Sequence, residues 1–191
     1  RILEGAARFG RRQMLASAFA SVRPDRKPWD DRRWEWVGLV SDNGDFKITG
    51  GMHLTARERW FAQAILASPA MFRRKAGFGS VYWLAVRDAA GGPLDGAKTY
   101  RLRVPQPVPA SLFWSVTAYD MRTRSQVVTE QDKAALRSML DKFATNADGS
   151  VDLFFGPSAP EGQEGQWIRT DPSRRWFAYF RIYGPKEGAL D

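Results

Sequence analysis

The chain has 191 residues, and 29 Lys and Arg against 21 Asp and Glu give it a net charge of +8. Its hydrophobic content of 43%, with 8 Trp and 12 Phe, supplies enough apolar surface for a packed core and excludes a wholly disordered chain. With no cysteine and one histidine, disulfides, thiolate nucleophiles and multi-histidine metal clusters within the chain are excluded. We predict one domain, or one domain with an appendage, without a cofactor or a metal.

Charge and proline divide the chain unequally. Residues 1–75 carry 15 basic and 8 acidic side chains, whereas residues 76–191 carry 14 and 13. Eight of the 11 prolines follow residue 76. Because proline is poorly tolerated inside helices and central strands, the second part is expected to consist of strands joined by turns. We therefore predict a helical segment over residues 1–75 and a β domain over 76–191, with the boundary near Arg74–Gly79.

Two helices are predicted in the N-terminal segment. Apolar residues at helical spacing predict an amphipathic helix over residues 3–22: Leu15, Phe19 and Val22. Thr55 precedes Glu58 by three residues, which is the capping-box pattern that begins a helix. The apolar side of this second helix is formed by Trp60, Phe61, Ala64, Ile65 and Ala67. Between the helices, the Asp-Asn-Gly-Asp sequence at residues 42–45 predicts a turn.

Five strands are predicted in the β domain from their β-branched and aromatic residues. They cover residues 80–87, 99–104, 112–119, 151–155 and 175–183. In the second strand, Arg101 and Arg103 alternate with Tyr100, Leu102 and Val104, which indicates one solvated and one buried face. The last strand is aromatic on both faces and is predicted to be central in its sheet. A turn is predicted over residues 146–149.

A short helix is predicted over residues 133–143, because Leu136, Leu140 and Phe143 are spaced by four and three residues. Short strands with proline and glycine between them favour an antiparallel β-sandwich over a parallel α/β sheet. The predicted fold class is therefore mainly β, an antiparallel sandwich preceded by a smaller helical segment. Because no run of about 18 apolar residues occurs, we expect no transmembrane helix. Because the chain starts at Arg1 rather than Met, we expect a processed form or a fragment.

The C-terminal part contains four sequence segments that follow one another along the chain. They are GSVYWLAVRDAAGGPLDGAKTYRLRVPQPVPASLFWSVTAYDMRTRS (79–125), DGSVDLFFGPSAPEG (148–162), WIRT (167–170) and RIYGP (181–185). In their residues and in their order along the chain, these segments resemble the bacterial family called domain of unknown function 1214, over roughly residues 55–185. That family forms the C-terminal half of proteins that usually begin with a domain of unknown function 1254.

The resemblance implies a jelly-roll type of β-sandwich and an exported protein, periplasmic or secreted, although the lack of cysteine is compatible with the cytoplasm as well. It implies no established reaction; carbohydrate binding or processing is suggested by analogy of fold alone. The chain departs from the family pattern at Gln166, where Asn is usual, and at Ala97, where a second Gly is usual. The N-terminal partner domain is expected to be absent or reduced to residues 1–75, so a site shared between the two halves would be incomplete.

The richest group of polar residues follows the predicted strand 112–119. Period-2 alternation places Tyr119 on one face, and Asp120, Arg122 and Arg124 follow at the strand end, where a sandwich places its loops. Guanidinium groups form forked hydrogen bonds, so this group is suited to a carboxylate, a phosphate or sugar hydroxyls. A structural role explains the same residues, since ion pairs between Asp120 and the two arginines, Arg122 and Arg124, would hold the turn in place. Both interpretations remain open.

Two further residues complete the predicted ligand site. Asp148 lies in the predicted turn 146–149, where aspartate and glycine are also what a hairpin requires. Trp167 follows a polar stretch, so its ring is expected to be exposed and able to stack on a sugar. The leading hypothesis is a β-sandwich domain that binds a carbohydrate or a small anionic ligand through Tyr119, Asp120, Arg122, Arg124, Asp148 and Trp167.

Two alternatives are kept. A hydrolase of the glycosidase type would use two carboxylates that face one cleft, and the many Asp and Glu of the β domain leave the pair undefined. An interaction module would dock a partner protein through the basic helical segment. Nucleic acid is not predicted as a partner, because Asp30, Asp31 and Glu35 interrupt the basic cluster at Arg32 and Arg33 and the β domain is almost neutral.

Overall fold

The computed structural model describes residues 1–20, 27, 29–37, 46–64 and 74–190. The helices are α1 (Ile2–Leu15), continued by a π-helical turn (Ala16–Ala20), and α2 (Leu54–Ala64). The strands are β1 (Glu35–Trp36), β2 (Lys47–Ile48), β3 (Gly51–Met52), β4 (Ser80–Ala85), β5 (Tyr100–Val104), β6 (Ala110–Asp120), β7 (Ala135–Arg137), β8 (Val151–Gly156), β9 (Trp167–Arg169) and β10 (Trp176–Pro185). The predicted turn at 42–45, together with Val22, Ile65 and Ala67, lies outside the described residues.

Two sheets form the body of the protein. One has five antiparallel strands in the order β1-β4-β10-β6-β7, and the other has three in the order β5-β8-β9. β8 and β9 pair in parallel, whereas β5 and β8 are antiparallel. The five predicted strands are present, and β10 lies in the centre of the larger sheet as predicted. The mainly β class with antiparallel sheets, preceded by a helix, is confirmed.

The two sheets pack against each other through one hydrophobic core. Val116 of β6, Leu153 of β8 and Ile168 of β9 are fully buried in it. In β5 the burial alternates as predicted, with Arg101 and Arg103 on the exposed face. Burying an apolar side chain such as that of Leu153 or Ile168 stabilises the fold by about 1.5–3 kcal/mol relative to leaving it exposed in water.

A second core lies on the opposite face of the five-stranded sheet. Phe19 of the π-helical turn and Trp60 of α2 pack there against Leu84, Phe177 and Tyr179 of the sheet. β10 is therefore covered on both faces, which is the physical reason for its aromatic residues on both sides. The N-terminal segment also contributes β1, which pairs with β4.

The helix predicted over residues 133–143 is wrong. Leu136 is fully buried in β7, where it pairs with Val116, while Leu140 is 61% exposed. The ring of Phe143 stacks on Trp114 with a centroid distance of 5.4 Å. A short edge strand followed by a turn thus brings Leu136 and Phe143 to the core, and the helical spacing of Leu140 is coincidental.

The capping box predicted at the start of α2 is also wrong in detail. The helix begins at Leu54, and the Nδ1 atom of His53 accepts a hydrogen bond of 3.2 Å from the backbone N–H of Ala56. This bond satisfies one of the free donors of the first turn, so His53 occupies the capping position. Thr55 lies within the helix.

Candidate functional site

A pocket of about 190 Å³ lies where β6 ends and β10 begins. Its walls come from the connections at residues 121–129 and 170–175. Asp120 pairs with Trp176 in the antiparallel register of β6 and β10, and this register brings the two connections together. The polar side chains that line the pocket include Asp120, Thr129, Thr170, Asp171, Arg174 and Arg175.

Arg174 joins two carboxylates at this pocket. Its Nη1 atom lies 3.3 Å from Oδ2 of Asp120, and its Nε atom lies 3.7 Å from Oδ2 of Asp171. The Oδ1 atom of Asp120 accepts hydrogen bonds of 2.8 Å from the backbone N–H groups of Arg122 and Thr123. Asp120 therefore holds the turn with one oxygen and meets Arg174 with the other.

The carboxylate of Asp171 is stabilised in its charged form. Oδ1 of Asp171 accepts hydrogen bonds of 2.8 Å from the backbone N–H and from the hydroxyl of Ser173. These bonds, followed by the charge of Arg174, lower the pKa of Asp171 below its ordinary value. Asp171 is therefore an anion at neutral pH.

Two buried polar atoms of the pocket residues have no hydrogen-bond partner among the described residues, Oγ1 of Thr129 and Nε1 of Trp176. The Trp176 ring is 3% exposed and packs between Tyr100 and Phe155, with centroid distances of 5.7 and 5.1 Å. An unpaired buried donor or acceptor costs about 1–3 kcal/mol. Thr129 and Trp176 are both among the residues that line the pocket, so a polar group bound there would lie near these two atoms.

The structure brings one of the six predicted site residues, Asp120, into the pocket. Tyr119, the preceding residue in the pleated strand, lies on the face of the sheet that carries the second core, where its hydroxyl accepts a hydrogen bond of 2.6 Å from Nη2 of Arg181. Arg122 is exposed, and its side chain has no partner among the described residues. Arg124 has a backbone φ of 62° and donates from Nη1 to the carbonyl of Ala62 at 2.7 Å.

Asp148 lies away from the pocket, and Trp167 is not among the residues that line it. Asp148 precedes β8, whose other end is nearest the pocket, so the length of β8 separates them by about 17 Å at ~3.3 Å per residue. Oδ1 of Asp148 accepts from the hydroxyl and the backbone N–H of Ser150, and these bonds lower its pKa. The Trp167 ring is half-buried and donates from Nε1 to the carbonyl of Gly156 at 3.0 Å.

The predicted ligand site did not include Asp171, Arg174 and Trp176, which line the pocket. These residues could have been found by assuming that the two longest strands, β6 and β10, pair as antiparallel neighbours. If β6 and β10 are neighbours, the residues just before β10 lie beside those just after β6. The Asp-Pro-Ser-Arg-Arg sequence at 171–175 occupies that place.

Replacing Arg124 with alanine is expected to lower the free energy of unfolding by about 1–2 kcal/mol, because a charged hydrogen bond to Ala62 of α2 is lost. Arg122→Ala is the matched control and is expected to change stability by less than about 0.5 kcal/mol, since this side chain is exposed. Urea unfolding of the two variants measures the difference. Equal stability of the two would show that the bond to Ala62 contributes nothing.

Comparison with known proteins identifies the family. The sequence model of the family described as "Protein of unknown function (DUF1214)" matches residues 79–187, which is more than half of the chain. The chain belongs to the DUF1214 family. In this DUF1214 chain the match begins one residue before β4 and ends just after β10, so it covers both strands that frame the pocket. The jelly-roll type of topology stays a prediction.

The DUF1214 chain is also similar to solved structures. A crystal structure of the VPA0106 protein from Vibrio parahaemolyticus matches with a TM-score of 0.54 and 18% identity, over 78% of this chain and 36% of that one. The chain therefore spans about a third of that protein's length. A crystal structure of a putative uncharacterized protein from Burkholderia cenocepacia matches with a TM-score of 0.36 and 14% identity, over 95% of this chain and 46% of that one. Comparison with curated proteins found no match.

Two further observations bear on the remaining expectations. None of the helices in the described ranges combines the length and the apolar character that crossing a bilayer requires. Among residues 1–20, 27, 29–37, 46–64 and 74–190, no three His, Asp or Glu side chains come together as metal ligands do.

Proposed function

We propose that this DUF1214 domain binds a small, hydroxyl-rich ligand, such as one sugar unit, in the pocket at the end of β6. The observation that carries the proposal is the pair of buried atoms that have no hydrogen-bond partner among the described residues, Oγ1 of Thr129 and Nε1 of Trp176. Thr129 and Trp176 line the same pocket as Asp120, Asp171 and Arg174. Fixed donors and acceptors around one small volume are what orients a polar ligand.

The size and the charge of the pocket support this class of ligand. Its volume of about 190 Å³ is smaller than the ~300–1,000 Å³ of pockets that enclose drug-sized ligands. Two carboxylates, those of Asp120 and Asp171, are balanced by Arg174 and Arg175 in the lining. A hydroxyl group both donates and accepts hydrogen bonds, so a sugar uses both kinds of partner without adding charge.

The hydrolase alternative has weaker support at this pocket. A glycosidase needs one carboxyl group that stays protonated as the general acid, and its pKa must be raised. The pKa of Asp171 is instead lowered by its hydrogen bonds from Ser173 and by Arg174. The paired carboxylates are therefore better explained as acceptors for a bound ligand.

The interaction-module alternative stays a prediction. Ile2, Leu3 and Phe9 of α1 are 89%, 84% and 59% exposed. Exposed apolar side chains on a helix are compatible with docking to another protein.

The proposal is tested by replacing Arg174 with glutamine and measuring the binding of a monosaccharide and oligosaccharide panel by calorimetry. Binding of at least one sugar to the unmodified chain is expected, with an affinity about tenfold lower for Arg174→Gln, because hydrogen bonds to a charged group contribute about 1.5–3 kcal/mol.

Arg169→Gln is the matched control. Arg169 is also ion-paired, to Glu130 at 2.9 Å, but it is not among the residues that line the pocket. Its sugar affinity is expected to equal that of the unmodified chain. Equal loss in the two variants, or no sugar bound by the unmodified chain, would refute the proposal.

A further inference from the structure

A second group of polar side chains lies around Arg181 of β10, on the face of the five-stranded sheet that also carries the second core. The Cζ atom of Arg181 lies 5.4 Å from the ring centroids of Tyr82 and Tyr119 and 5.1 Å from that of Tyr179. These tyrosines come from β4, β6 and β10, which are adjacent strands. We call Arg181, Tyr82, Tyr119, Tyr179 and Thr117 the arginine–tyrosine cluster.

Arg181 has no carboxylate partner within 4.0 Å among the described residues. Its Nη1 atom donates to Oγ1 of Thr117 at 3.0 Å, and its Nη2 atom donates to the hydroxyl of Tyr119 at 2.6 Å. A guanidinium group has five N–H donors, so three remain. The hydroxyl of Tyr119 accepts from Arg181 and can still donate its own proton.

Burial differs across the cluster. Thr117 is buried at 3% exposure and forms its floor, and Tyr179 is buried as well. Arg181, Tyr82 and Tyr119 are partly buried, so each of these side chains keeps some contact with solvent. Burial alone lowers the pKa of Arg181, but the neighbouring tyrosines, Tyr119 first, outweigh it and raise that pKa above its ordinary value. The guanidinium therefore stays charged at all physiological pH values.

An unpaired cation in such a position is costly for the fold. Removing part of the hydration of a charged group costs free energy unless an opposite charge or hydrogen bonds replace the water. The aromatic rings recover part of this cost by cation–π attraction. The remaining N–H donors of Arg181 have no hydrogen-bond partner among the described residues.

We propose that the arginine–tyrosine cluster is a binding site for a small carboxylic acid with a flat apolar body. The planar fork of Arg181 matches the two oxygens of a carboxylate. The hydroxyl of Tyr119 supplies one more donor, and the partly buried ring of Tyr82 offers an apolar surface beside it. This site is distinct from the pocket at the end of β6, because none of its residues lines that pocket.

Benzoate is the probe, because it carries a carboxylate on a flat apolar ring. Titration of the unmodified chain followed by heteronuclear NMR is expected to show saturable shifts at Tyr82, Tyr119 and Arg181, with a dissociation constant of about 1 mM or lower. Arg181→Met and Arg181→Lys are each expected to weaken binding at least about tenfold, since lysine keeps the charge but lacks the fork. The lysine variant keeps the test valid if the methionine variant does not fold.

The controls separate this site from the pocket. Arg174→Gln is expected to bind benzoate as the unmodified chain does, so failure of the proposed sugar site leaves this result unaffected. Inorganic phosphate is expected to bind more weakly than benzoate, because it has no apolar body. Absence of benzoate binding, tighter binding of phosphate, or unchanged benzoate affinity in Arg181→Lys would each overturn the proposal.

Discussion

Replacing Gly96 with alanine is expected to lower the free energy of unfolding by about 3 kcal/mol and to abolish binding at the pocket. A Cβ atom at this position would overlap the backbone carbonyl of Asp171 and would lie 2.8 Å from the carbonyl oxygen of Arg174. Both neighbours are backbone atoms, which cannot move aside as a flexible side chain can. The backbone N–H of Gly96 also donates to the Arg174 carbonyl at 2.8 Å, so a shift would break this bond.

Thermal unfolding and sugar calorimetry measure the two effects. The melting temperature is expected to fall by about 6–12 °C, at ~2–4 °C per kcal/mol for a chain of this size. Gly165→Ala is the matched control, because a Cβ atom there would meet no atom within 4 Å. A Gly96→Ala variant as stable as Gly165→Ala would contradict the close approach of the two segments.

Replacing Trp60 with alanine is expected to lower the free energy of unfolding by about 4 kcal/mol. Trp60 is fully buried and packs edge-on against Tyr82 of the sheet at a centroid distance of 6.1 Å. We propose on this basis that the helical segment and the β domain unfold as one cooperative unit, although the sequence suggests two parts. Far-UV and near-UV circular dichroism are then expected to give coincident urea transitions, shifted together by the substitution.

Phe61→Ala provides the control for this experiment. Phe61 is the next residue of α2, and it is 60% exposed. Its replacement removes a similar ring from the same helix but little buried area, so a change within about 0.5 kcal/mol is expected. If Trp60→Ala melted the helices and left the transition of the sheets unchanged, the two parts would be independent units.

The strands could be predicted from sequence because their signal is local. Alternation in Tyr100–Val104 and the aromatic residues of Trp176–Pro185 reflect which faces each strand buries, and both expectations are confirmed. The helix predicted at 133–143 failed because three apolar residues at a spacing of four and three also fit a strand followed by a turn. Only contact with β6 decides between them.

The site was less accessible to sequence reasoning, since its residues come together through pairing between distant strands. Asp120 and Arg174 are 54 positions apart and meet at 3.3 Å. Asp148 has the residue type of a ligand-binding side chain, yet it lies beyond the opposite end of β8 from the pocket. Arg181 lies in the segment RIYGP, but a partly buried arginine on a strand can be recognised as part of a site only from the tyrosines of the neighbouring strands.

The last two residues of β6 have a consequence for regulation. Tyr119 faces the arginine–tyrosine cluster and Asp120 faces the pocket, so one peptide unit connects the two proposed sites. A ligand that shifts this strand end at one site changes the free energy of binding at the other. By thermodynamic linkage the effect is reciprocal: whatever factor benzoate imposes on the sugar affinity, the sugar must impose on the benzoate affinity.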